Sequence, residues 1–590
     1  MPFHLHLRHL CILVCLTLAK AAEAESYPSE DCRSTDTATL WLSPARPLPG
    51  EPLKVMAVLT EGAADHLSII RADGRTVPIR TKTLSGPPHS LYGEIGSAPA
   101  GEYRITVAHE GETLACRKVG DGALVAPPED WNPQVEAFFS AWIEQLFDAP
   151  MDESLSFSSL EPVLRNRDRN MLYNHLGTNE DVRLPAQPDC ADLPYFLRAY
   201  FAWKLGLPVS FRACDRGTAS RPPRCGSPNL DDRFSRGSQT AGSFNSLMRQ
   251  IADTVHSGSA RTALNSDATD FYPVALERAS LRPGTVYADP YGHTLIIAKW
   301  IPQSASTPGL LLAVDAQPDN SVTRKRFWEG NFLFANSPGA GPGFKAFRPL
   351  LRSEGRLGLP SNSRLAVNAP SALYSDQQEG LAAEDFYAEM GSIMNPQGLA
   401  PEAAYDAMMD ALVEQIETRV TAIDNGESYL RQHRGGVISM PSGAAIFQTT
   451  GPWEDYATPS RDMRLLIAMN VIAALPERIV RYPKWFALSG RAPDEARAAI
   501  EARHAEASAT RRFSYTRSDG SPWQLSVADL IARRSALEVG YNPNACVESR
   551  WGAPAESSEY ETCRRHPSPE QTQRMENYRI WFRETRRPTQ

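Results

Sequence analysis

The chain has 590 residues, a formal net charge of −8, and 42% hydrophobic against 22% charged residues. That length exceeds the ~250–300 residues at which a single core stops growing, so two to four domains are expected, each able to bury a core. The acidic balance offers no basic stripe of the kind that tracks a phosphate backbone, so nucleic acid is not an expected partner. The one local basic group, Arg579, Arg583, Arg586 and Arg587, reads as a solvated tail.

At the N-terminus, Arg8 and three histidines precede an apolar run over residues 10–19 and then Ala22-Glu23-Ala24, a small-x-small site for a signal peptidase. Residues 1–24 are therefore predicted to be a cleaved signal peptide, since the run is about half of the ~20 residues that cross a bilayer. The next most apolar stretch, residues 465–475, is interrupted by Asn470 and reads as a core helix. A periplasmic or secreted protein without a membrane span after cleavage is expected. Of nine cysteines, Cys11 and Cys15 leave with the signal peptide, and the remaining seven make an odd number. Cys32 with Cys116, Cys214 with Cys225 and Cys546 with Cys563 each bracket one segment and are expected as disulfides, leaving Cys190 over. The Cys214 to Cys225 spacing fits no usual zinc pair, and neither metal nor another cofactor is expected.

Residues 25–126 contain short alternating apolar runs, such as 40–42, 53–58, 66–70 and 103–107, separated by Pro49-Gly50, Asp73-Gly74 and Gly101-Glu102. This spacing predicts an immunoglobulin-like β-sandwich. Asn132-Pro133 then opens a helix through Val135, Phe138, Phe139, Trp142, Ile143 and Leu146. A second helix is predicted from about Cys190 to Leu205, stopped by Gly206, with a strand over 207–211. Residues 215–270 read as an insertion with one helical pattern over 244–255. Strands are expected again at 285–287, 293–300, 309–316 and 344–348, so that residues 130–350 form an α+β domain. From about 361 the pattern is helical to the end: Met408, Leu412, Ile416, Val420 and Ile423 form one stripe, and Thr458-Pro459 starts another helix. Residues 365–590 are predicted as an α-helical domain.

Asp189 stands at the helix N-cap position and Asp192 three residues on, which puts Cys190 in a first turn where the helix terminus favours a thiolate. Of the histidines of the middle domain, His175, His256 and His293, the last begins an apolar strand directly after Asp289-Pro290-Tyr291-Gly292. A hairpin centred near residue 304 sets His293 opposite Asp315, Leu295 opposite Ala313 and Ile297 opposite Leu311. Gln317, one alternation along, is the alternative orienter of the imidazole. Gln187 is a candidate oxyanion donor beside the Cys190 backbone N–H. The group Trp453-Glu454-Asp455-Tyr456 with Ser460-Arg461-Asp462 mixes acids and aromatics as a sugar or peptide site does, or as a helix cap with its surface network does.

Residues 188–201, Pro-Asp-Cys-Ala-Asp-Leu-Pro-Tyr-Phe-Leu-Arg-Ala-Tyr-Phe, with Leu205-Gly206-Leu207-Pro208-Val209, resemble the cysteine helix and following strand of the transglutaminase-like and NlpC-type cysteine peptidase families. Arg282-Pro283-Gly284-Thr285-Val286-Tyr287 leading to Gly292-His293-Thr294-Leu295-Ile296-Ile297 resembles their histidine strand, and Val314-Asp315 their acidic position. The resemblance covers residues 130–350 and implies a papain-like fold with Cys190, His293 and Asp315 as a triad. It departs from the transglutaminase pattern in lacking an aromatic residue soon after the histidine, and from the peptidase pattern in having Ala191-Asp192 where Ser-Gly is usual. The implied activity is a hydrolase or acyltransferase acting on amide bonds, with cell-wall peptides (peptidoglycan) as substrate class. The alternative is a non-catalytic envelope protein with a degenerate papain-like domain.

Overall fold

The computed structural model describes residues 32–587 except 152, 154–155, 219, 305–306, 336, 368–372, 434–435, 448–450 and 586. The predicted signal peptide lies outside the described residues. The alternating runs of the first region form β1 (Ala38–Ser43), β2 (Leu53–Leu59), β3 (His66–Arg71), β4 (Thr76–Val77), β5 (Arg80–Leu84), β6 (His89–Ile95), β7 (Tyr103–His109) and β8 (Glu112–Val119). They assemble into two four-stranded antiparallel sheets, ordered β1-β2-β6-β5 and β4-β3-β7-β8. Leu53, Val55 and Ala57 of one sheet meet Ile69, Ile105 and Val107 of the other. A disulfide joins Cys32, ahead of β1, to Cys116 in β8.

The sandwich is buried on a second face as well. Trp41, Met56 and Val58 pack into the core of the following region, where Trp41 stacks on Phe138 at 4.5 Å. Phe138 lies in α1 (Pro133–Leu146), whose start is capped by Asn132 accepting from the Val135 N–H at 3.0 Å. Glu144 of the same helix accepts from the Ser85 and Gly86 N–H groups at 2.8 and 3.0 Å. Burial pushes its carboxyl up to about 7.

The central region continues with β9 (Ser156–Phe157), α2 (Glu161–Leu164), α3 (Asp192–Leu205), β10 (Val209–Phe211), β11 (Asn229–Asp231), α4 (Ala241–Ala252), α5 (Ser257–Ala260), β12 (Phe271–Pro273), β13 (Val286–Ala288), β14 (Thr294–Ile301), β15 (Leu310–Ala316), β16 (Val322–Arg326) and β17 (Gly343–Phe347). Seven of these strands form one antiparallel sheet, ordered β12-β17-β13-β14-β15-β16-β9. Its two faces follow the strand alternation: Ile296, Ala298, Val314 and Ala316 join the core of α1 and α3, whereas Leu295, Ile297, Leu311 and Ala313 join a separate core. α3 ends where Gly206 adopts φ 71°, a left-handed cap that suits glycine. The insertion is part of the packing, because Phe244 of α4 stacks on Trp203 of α3 at 4.7 Å and the Cys214–Cys225 disulfide closes the loop before it.

The β14–β15 register differs from the predicted hairpin. Ile297 pairs with Ala313 and Ile296 with Val314, and a bulge between Ile297 and Lys299 shifts the pairing thereafter. The same register continued sets Leu295 opposite Asp315. The prediction is thus two residues out, a slip that leaves every side chain on its expected face.

After the hairpin β18 (Leu351–Ser353) and β19 (Arg356–Gly358) come α6 (Asn362–Val367) and α7 (Ala383–Met394). Leu365, Phe386 and Met390 of these helices complete the second core of the central sheet, with Phe386 stacked on Phe334 at 4.0 Å. The remaining chain forms α8 (Pro401–Gln432), α9 (Pro452–Tyr456), α10 (Pro459–Arg481), α11 (Pro493–Thr510), β20 (Arg512–Thr516), β21 (Pro522–Ser526), α12 (Val527–Ala532), α13 (Arg534–Leu537), α14 (Val547–Arg550) and α15 (Pro569–Arg583). The expectation of helix to the end fails at β20–β21, whose alternating Phe513 and Tyr515 are buried while Arg512 and Ser514 are exposed. The third disulfide, Cys546–Cys563, lies here. Among the described residues no helix is long and apolar enough to cross a membrane.

Candidate active site

Asp189 behaves as an N-cap although the regular helix begins only at Asp192. Its Oδ1 accepts from the Ala191 and Asp192 N–H groups at 2.8 and 2.9 Å, and its carbonyl accepts from Leu193 at 3.0 Å. Cys190, the one free cysteine among the described residues, therefore sits in the first turn, partly exposed. The backbone N–H of Thr294, the residue after His293, acts on its sulfur.

The expectation of a favoured thiolate is not met. Burial pushes the Cys190 thiol well up, and the Asp189 carboxylate adds to this against the Thr294 N–H. Two further carboxyls on this side are raised: Asp192 to about 7 by burial and Asp189, and Glu454 to about 7 by burial, Asp189 and Asp455. The cap that places the cysteine thus brings a negative charge that adds to the effect of burial on the thiol.

Asp289 plays the corresponding part for the histidine. Its Oδ1 accepts from the Tyr291 and His293 N–H groups at 2.7 and 3.0 Å, which folds residues 289–293 into a tight turn ahead of β14. His293 Nε2 lies 2.9 Å from Asp315 Oδ2. The same oxygen accepts from Gln317 Nε2 at 2.6 Å, and Asp315 Oδ1 accepts from the Thr323 hydroxyl at 2.5 Å. Asp315 is the contact of the imidazole, and Gln317, the alternative, supports Asp315. Burial by itself would raise the Asp315 carboxyl, but Lys325 and the hydrogen bonds from His293 and Thr323 hold it well below the usual range. Burial, together with Arg464, lowers His293 against the pull of Asp315. With Nε2 engaged by the carboxylate, Nδ1 is the ring nitrogen left with a lone pair.

His293, Asp315 and Gln317 thus form one hydrogen-bonded group, and Cys190 reaches the neighbouring backbone at Thr294. Gln187 is solvent-exposed, and no hydrogen bond to it is among the described contacts. His256 caps α5, accepting from Gly258 at 3.0 Å, and His175 is buried 3.1 Å from the Ser43 hydroxyl. Cys546, Glu548 and Cys563 converge, but their sulfurs are joined in the disulfide.

Sequence reasoning missed the cover over this site. Arg464 of α10 forms an ion pair with Asp289, and Arg461, one turn earlier, donates to Gln317 Oε1 at 3.3 Å. Arg587 is not part of a solvated tail: it donates to the Tyr291 carbonyl and, at 2.9 Å, to the Ser460 hydroxyl, with its guanidinium 5.3 Å from the Tyr291 ring. Arg579, also assigned to that tail, pairs with Glu576 and Glu538. Of the acidic and aromatic group at 453–462, Ser460 and Arg461 join the site, whereas Asp462 is consumed by a bidentate pair with the buried Arg419. The only local hint was the Asp-Pro-Tyr-Gly turn, since Asp289 and Arg464 are 175 residues apart. No protein-family model, curated protein or solved structure matches this chain.

Proposed function

We propose that the chain is an exported cysteine-dependent hydrolase or acyltransferase acting on amide bonds, built on a papain-like central domain. The observation that carries this reading is a histidine bound to a buried aspartate at the start of β14, with the backbone of the next residue, Thr294, acting on an unpaired cysteine in a helix first turn. The chain order Cys190, His293, Asp315 and the packing of α3 on an antiparallel sheet support it. Three disulfides fit the oxidising compartment of a periplasmic or secreted protein.

In this mechanism the resting pair is neutral thiol and neutral imidazole. The thiol turns from the Thr294 N–H toward His293 Nδ1 and gives up its proton as the sulfur attacks the amide carbonyl. The imidazolium, stabilised by Asp315, returns that proton to the leaving amine, and water or a second amine resolves the thioester. Peptides of the bacterial cell wall are the proposed substrates.

Wild type, Cys190→Ala and His293→Ala are to be incubated with purified peptidoglycan and with glutamine-bearing peptides, following released amines and crosslinked products by mass spectrometry. Turnover by wild type is expected, with loss in either variant and little further loss in the double variant. Activity retained by Cys190→Ala excludes the mechanism. The competing reading, a non-catalytic envelope protein, is favoured by the carboxylates that disfavour the Cys190 thiolate, and it expects no turnover by wild type.

A further inference from the structure

Beside the imidazole lies a cavity of ≈ 40 Å³ whose lining includes His293, Asp315, Lys325, Thr418, Arg461 and Arg464. Its cations are only partly neutralised: Arg464 pairs with Asp289, and Lys325 acts on the nearby Asp315 carboxylate. Lys325 is 8% exposed, and its hydrogen bond is to the Thr418 hydroxyl at 3.3 Å. Arg461 bonds the neutral Gln317. Neither has a carboxylate within ion-pair distance among the described residues. Asp319, Asp315 and Asp462 act on Arg461 only from further away, and Asp462 already holds Arg419. The buried Nε–H groups of Arg461 and Arg464 have no acceptor among the described residues. Burying cations and donors unpaired is costly, so the arrangement calls for an anion with several acceptor oxygens.

The space has the size of a carboxylate, about three water-sized positions at the ~10–15 Å³ that each requires. A second cavity of ≈ 350 Å³ shares Gln317, Lys325, Thr418 and Arg461 with the first and runs along β16 and α8, giving room for the rest of a ligand. We propose that the small cavity is a carboxylate-binding subsite, and that the substrate is an acidic peptide whose free carboxylate is held by Lys325, Arg461 and Arg464. The subsite stands on the cavity alone, whereas its use for substrate rests on the catalytic reading above.

Binding is therefore measured on the full chain carrying Cys190→Ala, where turnover plays no part. Calorimetric titration with alanyl-glutamate, alanyl-glutamine, acetate and inorganic phosphate distinguishes peptide from free ion. Alanyl-glutamate is expected to bind at least about tenfold more tightly than alanyl-glutamine, and Lys325→Met and Arg461→Gln are each expected to weaken it about tenfold with thermal unfolding unchanged. Should either variant fail to fold, Arg461→Lys keeps the charge, loses the planar fork and is expected to weaken the dipeptide by an intermediate factor. Equal affinity for the two dipeptides, or folded variants that bind as the parent does, overturns the subsite. Phosphate bound more tightly than alanyl-glutamate overturns the peptide assignment. Binding as expected, with no turnover by wild type, leaves the subsite standing and removes the catalytic reading.

Discussion

Asp189 and Asp289 do the same local work in opposite surroundings. Each accepts two backbone N–H groups within four residues and so presents the neighbouring candidate side chain, Cys190 in one case and His293 in the other. Asp189 is exposed and shares its side of the site with the raised carboxyls of Asp192 and Glu454. Asp289 is fully buried, paired with Arg464 and close to Arg587. The thiol half of the site is therefore electronegative and the imidazole half electropositive. A capping aspartate can be read from a few residues, but whether its charge disfavours or supports the chemistry beside it depends on partners far along the chain.

The largest test of this contrast is at Asp315. Asp315→Asn keeps the shape and removes the charge that stabilises the imidazolium in the proposed mechanism, and it is expected to lower kcat by ~10²–10⁴-fold in the peptidoglycan assay. A smaller loss would place the support of His293 elsewhere in the arginine-rich half.

Asp289→Ala breaks the same half structurally, leaving Arg464 and two N–H groups unpaired. The expected cost is about 3–5 kcal/mol in urea unfolding, and Asp289→Leu combined with Arg464→Met is expected to recover the part due to the unpaired Arg464 but not that of the two N–H groups. An Asp289→Ala chain as stable as wild type would mean that the ion pair holds nothing in place.

The pH dependence reports on both halves at once. Because burial lowers His293 and raises Cys190, the neutral pair of the proposed mechanism persists over a wider range than for free side chains. The acid limb of kcat/KM is expected below the ordinary histidine value of about 6.5 and the alkaline limb above the ordinary cysteine value of about 8.5. Alkylation of Cys190 by iodoacetamide is correspondingly expected to be slow at pH 7 and still rising above pH 9. Rapid labelling at pH 6 would indicate a thiolate and reverse the account of the electronegative half.

The smallest effect is expected at Asp189→Asn, which retains the cap and removes the charge. Alkylation of Cys190 at pH 8 is expected to accelerate a few-fold without change in the melting temperature. An unchanged rate would assign the raised thiol to burial alone.

Sequence by itself determined what is decided within a few residues. Period-two alternation specified the sandwich strands, Asn132-Pro133 and Asp189 specified two helix starts, and an odd cysteine count singled out Cys190, with all three expected pairs joined in the structure. Alternation also put His293 and Asp315 on one face, and this survived the two-residue error in register because an even slip preserves faces. Tertiary structure alone decided the bulge in β14, the share of α6 and α7 in the central core, and the cover of Arg461, Arg464 and Arg587 over the imidazole. Contacts across 144 to 296 residues leave no periodic trace in the chain. An arginine that will be buried against a distant aspartate has the same local sequence signature as one that remains in water.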